Sequence, residues 1–114
     1  MSRLIDLKPA HLNLVIALIR QYLPNTRVWA FGSRVKFTAK PHSDLDLVAF
    51  STKNQAAQLS SLKEALEESS LSIRIDLHRW DDLPQTFQHN IQTDFAILHP
   101  EASDFLVPEN NFPS

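Results

Sequence analysis

Asp44 and Asp46 are separated by a single leucine, and a third aspartate, Asp76, stands in "RIDLHRW", where apolar and polar residues alternate. Residues two apart on a strand point the same way. Asp44 and Asp46 therefore share a face, roughly 7 Å apart along the backbone at a strand's rise per residue. If the strand bearing Asp76 lies beside theirs, three carboxylates converge. Left alone, such a cluster is costly: two unit charges about 4 Å apart repel by about 4 kcal/mol at an effective dielectric near 20. A cation removes that repulsion. Oxygen ligands without a thiolate favour a hard ion, Mg2+ or Mn2+. Two such ions about 3.5–4 Å apart would clamp the attacking and leaving oxygens of a phosphoryl or nucleotidyl transfer.

Twelve residues before Asp44 comes Gly32, the only glycine of the chain. It ends the strand-like run "TRVWAFG", where a glycine lets backbone approach a ligand closely and adopt conformations that other residues resist. Ser33 follows, at the expected start of a short helical turn, "SRVKFTA". Exposed N–H groups and a hydroxyl at such a place suit phosphate oxygens. Arg34 and Lys36 add positive charge. Gly32, Ser33 and Arg34 are thus candidate phosphate-binding residues, facing Asp44, Asp46 and Asp76 as candidate metal-binding and catalytic ones. His78 shares the face of Asp76 on the same strand, where a surface histidine is the plainer expectation.

The elements that must position these residues are legible from periodicity. "PAHLNLVIALIRQYLP" predicts a helix, with Leu12, Val15, Ile19 and Leu23 at helical spacing, Pro9 in the first turn and Pro24 at the end. "TRVWAFG" and "DLDLVAFS" predict strands. "NQAAQLSSLKEALEES" predicts a second amphipathic helix on Leu59, Leu62 and Leu66. "LSIRIDLHRW" alternates Ile73, Ile75 and Leu77 with Arg74, Asp76 and His78, the pattern of a half-buried strand. "LPQTFQHNIQTD" predicts a short helix and "FAILH" a last strand. Trp29 and Trp80 are assigned to packing rather than to base stacking. The order helix, strand, strand, helix, strand, helix, strand implies an α/β (α+β) layer fold with a small mixed sheet.

The chain of 114 residues is long enough for one core without disulfides or a structural metal. Residues 1–100 are read as a single domain. The tail 101–114, with Phe105, Leu106 and Phe112, is either a loose terminus or a segment that orders against a partner. A net charge of −2 argues against a broad surface for duplex nucleic acid. The absence of cysteine excludes a disulfide framework and a thiolate metal site. The charged N-terminus lacks a signal-peptide pattern and no stretch approaches the roughly 18 apolar residues of a membrane span. A cytoplasmic location is expected.

The arrangement of Gly32-Ser33, Asp44-x-Asp46 and Asp76 on a later strand resembles the nucleotidyltransferase superfamily that includes DNA polymerase β. More narrowly, "VWAFGSRVKFTAKPHSDLDL" resembles the minimal nucleotidyltransferases found with helical HEPN proteins in toxin–antitoxin pairs. The likeness runs over nearly the whole chain. It implies a nucleotidyltransferase fold, metal on Asp44, Asp46 and Asp76, and nucleotide phosphates on Gly32, Ser33 and Arg34. It further implies ATP as substrate and transfer of AMP to a tyrosine hydroxyl of a HEPN ribonuclease partner. Phe37 departs from the family, whose members usually carry glycine there. Larger enzymes of the superfamily hold the acceptor with a further domain, so a partner protein is expected to supply the acceptor here. The rival expectations are transfer to a small molecule and a non-catalytic antitoxin or nucleotide-binding subunit that neutralises its partner by binding alone.

Overall fold

The computed structural model describes residues 5–99. The tail read as a partner-contacting segment, 101–114, lies outside the described residues. A four-stranded mixed sheet organises the chain, in the order β3-β2-β1-β4. The strands are β1 (Val28–Phe31), β2 (Leu45–Ala49), β3 (Ile75–Arg79) and β4 (Phe95–His99), and the helices are α1 (Pro9–Tyr22), α2 (Ser33–Lys36), α3 (Ala56–Glu67) and α4 (Gln85–Thr93). β1 pairs antiparallel with both β2 and β4, while β2 and β3 run parallel. Parallel neighbours need a long crossover, and α3 supplies it. Every predicted helix and strand is present, with ends trimmed by a few residues.

Strand alternation divides the sheet into two faces with different tasks. Val28, Ala30, Leu45, Leu47, Ala49, Leu77, Ala96 and Leu98 pack on one face against Val15 and Ile19 of α1 and Leu59, Leu62 and Leu66 of α3. This is the main core, and it uses the helical spacings seen in the sequence. The opposite face carries a smaller cluster in which Phe31, Val48 and Ile91 are buried beside Trp29, Phe50, Trp80, Leu83 and Phe95. There Trp29 stacks on Phe95 at 3.8 Å between ring centroids and meets Phe50 edge-on at 4.6 Å. Trp80 in turn stacks on Phe50 at 4.6 Å. Both tryptophans therefore belong to packing, as expected.

The second face is apolar only at one end. Asp46 and Asp76 lie on it too, towards the start of β2 and β3, away from the Phe50–Trp80 stack. Ile91 anchors α4 against the sheet beside Phe31 and Val48, next to the acids. The end that bears the acids is left open for chemistry.

Candidate functional site

Parallel register brings the carboxylates together. Asp46 of β2 lies opposite Asp76 of β3, and Val48 lies opposite His78. On the other side Asp46 faces Phe31, the last residue of β1. Three chain segments thus meet at Asp46: the end of β1, β2 itself and β3. Ligating atoms of Asp46, Asp76 and His78 all lie within 4.8 Å of one another. His78 Nε2 stands 3.5 Å from Asp76 Oδ2.

Asp44 is half-buried one residue before β2. It stands outside that tightest group but near enough for its charge to act on Asp46. Burial, then the negative charges of Asp76 and Asp44, push the Asp46 carboxyl above its ordinary value of 3.8, and His78 opposes them. Burial, the larger cause, was not anticipated from the sequence; the like-charge repulsion was. A cation would relieve it, so the residues present fit a divalent ion.

The sole glycine answers to this carboxylate directly. Gly32 has φ 82° and ψ −155°, a region that is essentially closed to other residues. A Cβ at this position would stand 2.5 Å from Asp46 Oδ2. Glycine is therefore required both to bend the backbone out of β1 and to make room for the Asp46 carboxylate. Ser33 opens α2 immediately afterwards, and the first N–H groups of a helix have no carbonyl partner within it. Phe37 closes α2 at φ 58°, ψ 36°, in the left-handed region, with its side chain largely exposed. Glycine is the residue that adopts this conformation without strain.

Arg34 does not join the phosphate side, contrary to expectation. It is buried, and its guanidinium donates to the carbonyls of Asp6 at 2.8 Å, Ser43 at 2.9 Å and Pro41 at 3.3 Å. These bonds tie α2 to the segment leading into α1 and to the loop before β2. The helix geometry explains the difference. Residues two apart on a helix point about 200° from each other, so Arg34 turns inward when Lys36 turns out. Lys36 is the cation that lines the site.

A cavity of about 610 Å³ lies over this end of the face, lined by Gly32, Lys36, Asp46, Asp76 and His78. Phe31 and, from α4, Phe87, Asn90 and Ile91 complete much of its wall. Its size is within the roughly 300–1,000 Å³ typical of small-ligand sites. Carboxylates, a lysine and helix-start N–H groups around an apolar-floored cavity suit a phosphorylated organic molecule bound with a cation. Of the expected residues, the structure brings Gly32, Asp46 and Asp76 into one cavity, sets Ser33 and Asp44 beside it, and removes Arg34. His78 and the α4 residues are additions. Strand periodicity places His78 with Asp76, but only the register of β2 on β3 sets it near Asp46.

The nucleotidyltransferase family described as polymerase beta matches residues 14–103. A probable protein adenylyltransferase, MntA of Haemophilus influenzae, is 38% identical over 105 residues, which cover 91% of this chain and 92% of that relative. Among solved structures, the chain is similar to a toxin–antitoxin crystallised with AMP-PNP, at a TM-score of 0.57 and 20% identity over 84% of this chain and 78% of the other. It is also similar to the toxin–antitoxin MntA–HepT, at a TM-score of 0.53 and 17% identity over 88% of this chain and 79% of the other. At such identities the structural likeness speaks for the fold. Among the described residues no helix is long and apolar enough to cross a membrane.

Proposed function

Because the chain belongs to the polymerase beta nucleotidyltransferase family, we propose that it transfers AMP from ATP to a tyrosine hydroxyl of a helical HEPN partner, and so acts as the antitoxin of a pair. The observation that carries this reading is the pairing of Asp46 with Asp76 in register, beside the one backbone position where glycine is obligatory. The relative's name, protein adenylyltransferase, and the toxin–antitoxin neighbours support the acceptor class.

ATP lies in the cavity with its β- and γ-phosphates at Gly32, Ser33 and the start of α2. Lys36 replaces Arg34 as the side chain that meets phosphate charge. Asp44, Asp46 and Asp76 would hold Mg2+ or Mn2+, which would supply positive charge to offset the negative charge of the transfer. The acceptor oxygen attacks the α-phosphorus in line. A new P–O bond forms to tyrosine, the bond from the α-phosphorus to the bridging oxygen breaks, and pyrophosphate leaves. The hydroxyl proton passes to the Asp76 carboxylate. In this reading residues 1–100 are the transferase domain and the segment 101–114 contacts the partner.

Intact mass spectrometry of the protein and its neighbouring gene product, incubated with each NTP and a divalent cation, tests the proposal. One or more AMP additions on the partner with ATP, lost when Asp44 and Asp46 are both changed to Asn, are expected. A stable complex with no mass gain would refute transfer and leave an antitoxin that acts by binding.

A further inference from the structure

We propose that His78 is a ligand of the metal ion held by Asp46 and Asp76, so that this position takes Mn2+ in preference to Mg2+. The inference rests on the nucleotidyl-transfer reading and adds the identity of one ion. The carboxylates alone form an oxygen site, and Mg2+ fits such sites well because it keeps oxygen ligands and several waters. An imidazole changes the balance, since it suits transition metals better than Mg2+.

The distances agree with shared coordination. Two ligand atoms about 2.1 Å from one ion are about 3 Å apart at right angles and about 4.2 Å apart when opposite. His78 Nε2 and Asp76 Oδ2 are 3.5 Å apart, and the three side chains offer atoms all within 4.8 Å. Rotation of the side chains would close them on an ion. At 3.5 Å the imidazole and carboxylate make at best a weak hydrogen bond, so neither is committed to the other.

The ring is also aimed. Phe31 and Phe87 flank it with centroids 6.0 and 6.5 Å away. Nε2 is turned towards the carboxylates, 3.5 Å from Asp76 Oδ2. The side chains of His78 and Asp76 are 31% and 38% exposed, which leaves room for an ion to enter with waters.

The test is direct. Pulsed EPR of the full-length protein loaded with Mn2+ should show a nitrogen hyperfine coupling, absent in His78→Gln. By titration, His78→Gln should weaken Mn2+ binding by at least about 10–100-fold, the loss that removal of even an outer-shell partner of a metal ligand typically brings, while Mg2+ affinity stays within about twofold. Absence of nitrogen coupling in the unchanged protein would overturn the proposal, whatever the variant does. Binding that is lost in Asp46→Asn yet unchanged in His78→Gln would exclude His78 and leave the transferase reading standing. Failure of the unchanged protein to bind either ion would sink both.

Discussion

Replacing Gly32 by alanine probes the joint between backbone and carboxylate, and two penalties add. Alanine held at φ 82°, ψ −155° is strained by about 1–3 kcal/mol. Its Cβ would also stand 2.5 Å from Asp46 Oδ2, about 1 Å inside ordinary contact. The clashing atom ends a rotatable side chain, so the carboxylate can swing away and most of the second penalty falls on function. The expected loss of stability is then about 2–3 kcal/mol, mainly strain, or roughly 10–20 °C in Tm for a domain near this size. Urea denaturation at neutral pH measures the first effect. Transfer of AMP, assayed well below the variant's melting transition so that folded molecules are scored, measures the second, and it should fall by at least about 100-fold because a charged ligand has been moved. A Gly32→Ala protein within about 0.5 kcal/mol of the original, the range of neutral surface changes, would refute the strain argument. A destabilised variant that transfers AMP at the full rate when folded would refute the coupling to Asp46.

The other carboxylate and loop residues give sharper contrasts. Asp46 has a raised carboxyl pKa in the fold, so the folded state binds more protons than the unfolded one between 3.8 and that raised value; stability falls as pH rises through this window and stays lower above it. Asp46→Asn should therefore raise the Tm of the metal-free protein at neutral pH, with the gain shrinking as pH falls through this window and gone below pH 3.8, even as transfer is abolished; a lower Tm at neutral pH would contradict the charge clustering. Phe37→Gly should stabilise by about 0.5–1 kcal/mol in urea, because relief of left-handed strain of about 1–2 kcal/mol exceeds the entropy penalty of glycine. Arg34→Lys should destabilise by about 2–4 kcal/mol, since one ammonium cannot cover three carbonyls, with little change in KM for ATP. Lys36→Ala should do the reverse, leaving stability intact and raising KM about tenfold, as loss of one charge-assisted contact implies; equal KM effects in the two variants would undo their separate assignment.

The fold was legible in the sequence because its periodicities are clean. Leu59, Leu62 and Leu66 announce a helix, and Ile73, Ile75 and Leu77 a strand, since each pattern must match a face that is buried. Asp46 and Asp76 were legible for the same reason. What escaped was set by tertiary placement. Nothing local shows that α2 rotates Arg34 under the Asp6 and Ser43 carbonyls, because an arginine after "GS" reads as a phosphate ligand whichever way a four-residue helix turns. The role of α4 was hidden likewise. Phe87, Asn90 and Ile91 share one helix face, but only docking of Ile91 onto Phe31 and Val48 lays that face over the carboxylates. Phe37 marks a middle case, where a residue at which the resemblance leads one to expect glycine has a left-handed φ.

The division of labour between the two faces of the sheet bears on quality control in the cell. Leu45 and Leu47 hold the core while Asp46 points to the site, and Ile75 and Leu77 alternate in the same way with Asp76 and His78. A slip of one residue in β2 or β3 would exchange the two sets at once. It would bury carboxylates among leucines and put leucines into the cavity. A misregistered chain thus loses its core and its site together. It is unstable for the same reason that it is inactive, and proteases that clear unstable chains remove the inactive ones with them.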